Sequence, residues 1–547
     1  MASAHRTPNR VAGQADLLVR GRVLTLASAA PRTFALAVRA GRVVALGQPA
    51  LARCGAATRL LDCGDRTVLP AFVDAHLHLV GLASALLSAD CSGARSIAEI
   101  QTIVAQAATR LPPGAWVRAS SYSEDRLAER RHPTRWELDA AAPGHPVRLR
   151  HATRHASVLS SRALALAGIG RDTPDPPGGH VGRDAAGEPN GLLVDLDAWP
   201  STTVVPRRDA TEIAAGVAAA GQRLLAAGVT SVHDLTATNT LATFEDLRGW
   251  QQQGHLGVRV TLFTGVETLD ERRAAGAWPG RGDAWLAWGG LKLLLGQAGG
   301  QVAPSPPAVA ALVRDAQRAG FPVALHAVEA EEVLAAAEAC AQAQGAGDLP
   351  WPHRVEHAAV CPPGFAERIA AAGAAIVTQP AFVYWRGDRY RAAYPRAAWR
   401  WLYAARSLLH AGVALAAGSD APVVPPEPLV ALRAALTRRT EEGYVLGASE
   451  RLGLDATLPL FTRSAAALGG QADRGHLGPG AHADLVVLDG RLADLAHAER
   501  PLPRVWLTLC GGQVAYAAPD AAALLVASDW GEQPKPPSID QPLQPRL

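Results

Sequence analysis

The sequence predicts an α/β fold: a (β/α)8 TIM barrel with a long insertion after strand one, plus a small β-sandwich formed from both chain ends. Three observations predict it. Eight short β-rich runs alternate with Ala-rich stretches of helical periodicity, the two ends read as matching strand clusters, and one gap between runs is far longer than a single crossover helix needs.

The first cluster comprises "ADLLVRGRVLTL" (15–26), "TFALAVRAGRVVALG" (33–47) and "RLLDCGDRTVLP" (59–70), short strands punctuated by glycine. "HLGPGAHADLVVLDG" (476–490) and "RVWLTLCGGQVAYA" (504–517) match it near the other end. Residues 15–70 and 475–520 are therefore expected to pair as one β-sandwich domain, with the barrel at 71–474 between them. Residues 1–14 and 528–547 read as disordered tails, the second rich in Pro and Gln.

The eight barrel strands are expected at "AFVDAHLH" (71–78), "GVTSVHD" (228–234), "VRVTLFT" (258–264), "GLKLLL" (290–295), "FPVALHA" (321–327), "RVEHA" (354–358), "AAIVTQP" (374–380) and "GVALAAGSD" (412–420). The stretch between the first two holds one helix-like segment, 96–111, and then a Pro/Gly/Arg-rich region. A long insertion after a barrel strand sits at the C-terminal face, where such barrels place their chemistry, so 80–225 is expected to contain a cap or lid.

Bulk properties narrow the class. The chain has 547 residues, 48% hydrophobic and 19% charged, with a net charge of +3. That balance is too mild for a nucleic-acid or anionic-membrane partner. No stretch has the pattern of a secretory signal or the length of a membrane span. The six cysteines are scattered without a Cys-x-x-Cys, which points to a reducing cytoplasm rather than a disulfide framework.

What stands at the strand ends carries the chemistry. His76 and His78, two apart, share one face of the first strand. Lys292, His326, His357 and Asp420 follow at intervals of 34, 31 and 63 residues. At about 31 residues per βα unit those intervals are one, one and two units, so all six fall at a similar height at one mouth. Partly buried imidazoles and a carboxylate need partners, and a divalent cation such as zinc satisfies them together.

With these residues in hand the chain resembles the amidohydrolase superfamily of metal-dependent hydrolases, specifically its YtcJ-like branch that includes N-substituted formamide deformylases. "FVDAHLH", "LKLLL", "VALHAVE", "RVEHA" and "GSDAPV" carry the likeness, and so do "DTPDPPGGHVGRDAAGEPNGLL" and "SSRALALAGI" in the insertion. The resemblance implies that His76, His78 and Asp420 hold one metal ion. It implies that His326 and His357 hold a second, or that one of them touches the substrate in a one-metal site. It places Lys292 where relatives often carry a carbamylated lysine bridging two metals. Catalytic roles then fall to Asp420, Lys292, His326 and His357. The expected reaction is hydrolysis of an amide-like C–N bond in an N-acyl, N-formyl or cyclic amide small molecule, by metal-activated water with Asp420 as acid and base. A homodimer is compatible with the resemblance, though no stretch marks an interface.

Two departures from the branch matter. The lysine strand continues with Gly296 and Gln297 where many relatives have Asp-Gly. "HAVEA" also sets Glu329 three residues after His326, as in one-metal deaminases of amino-heterocycles, although an acid there also suits the start of the next helix. A decarboxylase or isomerase on the same centre, and a barrel retained as a scaffold, are the remaining alternatives. His155, His233, Tyr384, Trp385 and Arg386 are further mouth candidates outside the metal set.

Overall fold

The computed structural model describes residues 13–27, 32–176, 178–196, 204–298 and 301–527. The tails expected to be disordered fall outside these residues, apart from positions 13 and 14.

All eight barrel runs form strands: Phe72–Leu77, Val229–Asp234, Arg259–Gly265, Leu286–Leu294, Val323–Ala327, Arg354–His357, Ala375–Thr378 and Leu415–Ala417. They pair in chain order, each parallel to the next. The two outermost strands, first and eighth, then meet just past the ladder. Asp420 N donates to His76 O at 2.7 Å, and His78 N donates to Ala421 O at 2.9 Å. The Asp74 carboxylate reinforces this seam by accepting from the backbone of both His76 (3.1 Å) and Ser419 (2.9 Å). Small residues make the close approach feasible. A Cβ on Gly418 would lie 2.5 Å from His76 N and 2.7 Å from His76 Cβ, so a side chain has no room there.

The chain ends build one seven-stranded sheet. Arg504–Cys510 and Gln513–Ala517 follow Leu485–Asp489, which pairs antiparallel with Arg59–Pro70; Leu17–Leu24, Arg32–Arg39 and Arg42–Leu46 complete it. Arg59–Pro70 runs almost directly into the first barrel strand. This sheet thereby fixes where that strand begins. Arg259, inside the third barrel strand, ties the two together through a bidentate pair with Asp484 at 2.7 and 3.0 Å.

The insertion is more ordered than its composition suggests. Ala89–Asp90, Val117–Tyr122, Val147–His151, Ala156–Leu159, Pro189–Val194 and His180–Arg183 form a six-stranded sheet. The expected helix spans Ile97–Ala108, with Ser96 capping it by accepting from Glu99 N. Ile97, Ile100 and Val104 recur at helical spacing and pack on Val117, Val147 and Leu149. The strands escaped the sequence reading because they are short and carry arginines between their apolar positions, as in "VRLRH". The insertion's rim is latched to the barrel loops by Arg126 on Glu441 (2.7 Å) and Arg389 on Asp125 (3.3 Å). No helix among the described residues is long and apolar enough to cross a membrane.

Candidate metal centre

His76 and His78 leave the first strand on one face, their ring centroids 5.5 Å apart and their planes nearly perpendicular. Asp420 reaches them from the eighth strand, and its left-handed backbone (φ 60°) turns the carboxylate into the mouth. Its Oδ1 lies 3.1 Å from His78 Nε2 and 3.6 Å from His76 Nε2. An ion held tetrahedrally with bonds of about 2.0–2.2 Å would set its ligand atoms about 3.3–3.6 Å apart. The two separations from Asp420 are close to that spacing, and the ligand atoms of all three side chains lie within 4.8 Å of one another, a group that could hold a divalent cation.

Each imidazole is braced from behind, as metal-binding histidines usually are. Glu356 Oε2 lies 2.5 Å from His76 Nδ1, and Glu356 itself is clamped by Arg354. With its Nδ1 hydrogen given to Glu356, His76 presents the Nε2 lone pair to the mouth. His78 Nδ1 meets Thr236 Oγ1 at 3.0 Å. Burial, and next the Lys292 charge, hold His76 well below the usual histidine range; burial and the His357 charge do the same to His326. Metal ligation requires such neutral rings. Burial alone would raise the Asp420 pKa, but the His78 hydrogen bond and the nearby His76 and His357 rings hold it well below the usual carboxylate range.

His326 and His357 stand together beside this group. His357 Nε2 is 3.0 Å from His326 Nδ1, and its Nδ1 meets Gln379 Oε1 at 2.8 Å. The His357 ring lies 4.9 Å from that of His76. Consecutive strand residues face opposite ways, yet both Glu356 and His357 approach His76. The left-handed backbone of His357 (φ 71°) breaks the alternation and permits it. Lys292 is buried, and its Nζ has no hydrogen-bond partner among the described residues. Burial pushes its ammonium down to about 8. The charges of Glu356 and Asp420 reach the amine, and its own charge reaches His76, His326 and His357.

The outlying candidates separate. Glu329 opens the helix Ala330–Ala343 in a reciprocal capping box with Glu332, and its carboxylate accepts from Tyr394 OH at 2.9 and 3.0 Å. His155 is exposed and paired with Asp195 at 2.8 Å. His233 is buried against Gly469 and meets Arg354 Nη1 at 3.1 Å, so it serves the Arg354 network and not the ligand group. Trp385 lies 5.8 Å beneath the Arg126 guanidinium, and the Tyr384 carbonyl accepts from Glu441 N. The sequence reading missed Glu356, Arg354, Thr236 and Gln379. A charged pair inside "RVEH", on a strand meant to be buried, was the one available signal.

Comparison with known proteins agrees with this fold. The model of the "Amidohydrolase family" matches residues 59–516. The chain is 28% identical over 550 residues to the N-substituted formamide deformylase of Arthrobacter pascens, covering 91% of this chain and 98% of that one. It is 29% identical over 493 residues to the putative amidohydrolase YtcJ of Bacillus subtilis (strain 168), covering 84% and 90%. An uncharacterized metal-dependent hydrolase from Pyrococcus horikoshii OT3 shares the fold with a TM-score of 0.71, at 22% identity over 88% of this chain and all of that one. The protein belongs to the amidohydrolase family and is a hydrolase acting on carbon–nitrogen bonds.

Proposed function

We propose that the chain cleaves an amide-like C–N bond of a small N-acyl, N-formyl or cyclic amide compound at a divalent cation, zinc being the first candidate. His76, His78 and Asp420 hold the ion. His326, His357 and Lys292 complete the site, the lysine as a carbamate if two ions are bound. The observation that carries this reading is the convergence of the three ligand atoms within 4.8 Å, with Asp420 Oδ1 3.1 and 3.6 Å from the two imidazoles. A bound divalent ion supplies Lewis acidity, lowering the pKa of water toward 7 and polarising a carbonyl.

The remaining work falls to the chain. Asp420 Oδ1 faces the two histidines, which leaves Oδ2 to take the proton from the attacking water and pass it to the departing nitrogen. His357 gives its Nδ1 hydrogen to Gln379 and accepts at Nε2 from His326 Nδ1, so a neutral His326 keeps a free Nε2 lone pair, an atom that would hold a second ion rather than donate to an oxyanion. Glu356 and Thr236 hold the imidazoles in orientation throughout. The formamide deformylase among the relatives points to the same bond type, and six free cysteines suit a reducing, cytoplasmic setting.

The test is a turnover screen of N-formyl amines, N-acyl amino acids, lactams and amino-heterocycles, using protein loaded with zinc or manganese in bicarbonate. Turnover is expected among the amides; release of ammonia from amino-heterocycles alone would overturn the reading. Glu329→Gln separates the two in the same assay. It should leave kcat/KM on amides nearly unchanged and lower stability by on the order of 1 kcal/mol through the weakened helix cap. Complete loss of turnover in that variant would instead make Glu329 a proton donor.

A further inference from the structure

Between the insertion and the barrel mouth lies a cavity of ≈ 350 Å³, within the range of small-molecule sites. Six arginines line it: Arg118, Arg148, Arg150, Arg154, Arg207 and Arg208. No aspartate or glutamate is among its lining residues. Its barrel side is formed by Gly81 and Pro422, three residues after His78 and two after Asp420 in the chain, and the charge of Asp420 reaches Arg154.

Arg154 is the side chain that singles this cavity out. Its backbone is left-handed (φ 66°), at the turn between the strands Val147–His151 and Ala156–Leu159. Its guanidinium lies against the first turn of the helix Leu79–Leu86, where a Cβ on Gly81 would overlap Nη1. It makes no hydrogen bond or ion pair among the described residues, although the charges of Asp420 and Asp234 reach it. Arg118 and Arg208 are held in place by backbone oxygens, of Pro206 and Leu87 respectively. Arg148 and Arg150 have contacts of their own and contribute field. Burial, followed by the charge of Arg148, disfavours the Arg154 cation. Because a guanidinium does not shed its proton in a protein, that cost is relieved by an anion. Burying cations without one is unfavourable.

We propose that this cavity binds a carboxylate carried by the substrate, with Arg154 as its principal contact, so that the hydrolysed compounds are N-acyl amino acids or closely similar N-acyl acids. The inference rests on the C–N hydrolysis proposed above. A planar carboxylate matches the guanidinium fork in a two-point contact. A molecule so held would extend its acyl C–N bond toward Asp420, whose charge reaches the guanidinium.

The test uses the full-length, metal-loaded protein and has two readouts. The first is kcat/KM for an N-formyl amino acid against the matched N-formyl amino amide. The second is calorimetric binding of a non-hydrolysable N-sulfonyl amino acid, with its phosphonate analogue as a separate arm. The parent should prefer the acid, and Arg154→Gln should weaken its binding about ten- to a hundredfold, as expected for a lost hydrogen bond to a charged group. The acid-over-amide preference should collapse with it, and Arg154→Lys should recover part of both. Equal turnover of acid and amide by the parent, or an equal loss on both in Arg154→Gln, would overturn the carboxylate site. Tighter binding of the phosphonate would overturn its assignment to carboxylates. Arg154-dependent binding without turnover of any amide would preserve the anion site and defeat the hydrolytic reading instead.

Discussion

Asp420→Asn should retain divalent-ion binding and lose about 10²–10⁴ in kcat, the contribution of a positioned acid–base group. Asparagine keeps the shape of the side chain and an oxygen that can face His76 and His78, whose Nε2 atoms lie 3.6 and 3.1 Å from Oδ1. It cannot take a proton at Oδ2. The backbone bond from Asp420 N to His76 O, which aligns the two strands, does not depend on the side chain and survives the change. Metal content by atomic emission, measured beside kcat on saturating substrate, separates the two roles. A variant with full metal and a kcat within about tenfold of the parent would remove Asp420 from proton transfer.

Glu356→Gln should damage both the fold and the centre. Glu356 and Arg354 are wholly buried, and Arg354 also reaches the backbone of Ala75 and Leu468. Glutamine removes the charge and leaves the guanidinium without its counter-ion. Breaking a buried pair from one side costs about 3–5 kcal/mol. The same change deprives His76 of the carboxylate that orients it, for which a loss of about 10–100-fold in metal affinity is expected. Urea unfolding and competitive metal titration check the two effects separately. An unchanged midpoint and affinity would reduce the Arg354–Glu356–His76 chain to incidental packing.

The barrel was legible because each of its strands is a compact apolar run set off by glycine or proline, and because the chemistry-bearing residues recur at the repeat of the βα unit. His76, His78, His326, His357, Lys292 and Asp420 were readable as a group for that reason. Their bracing was not. Glu356 stands next to His357, and alternation assigns them opposite faces; only the positive φ of His357 brings both to His76, and a dihedral leaves no trace in composition. The sheet of the insertion was hidden in a different way. Its strands turn arginines to the face that bounds the cavity, and alternating Val, Arg, Leu, Arg in a Pro-rich setting resembles a solvated loop until its apolar half is seen packed on Ile97, Ile100 and Val104. The capping role of Glu329 was weighed from the sequence, and the box with Glu332 together with the Tyr394 contact now gives it a structural account.

The seam where Asp74 meets Ser419 joins parts of the chain 345 residues apart. During synthesis the first strand must wait for nearly the whole cylinder to be made before its final neighbour emerges. A cation caught by both edges would act as a rivet across that last joint, offsetting the entropy of closing so large a loop. Ion capture and completion of the cylinder would then be one event, with the reaction centre serving as its fastener.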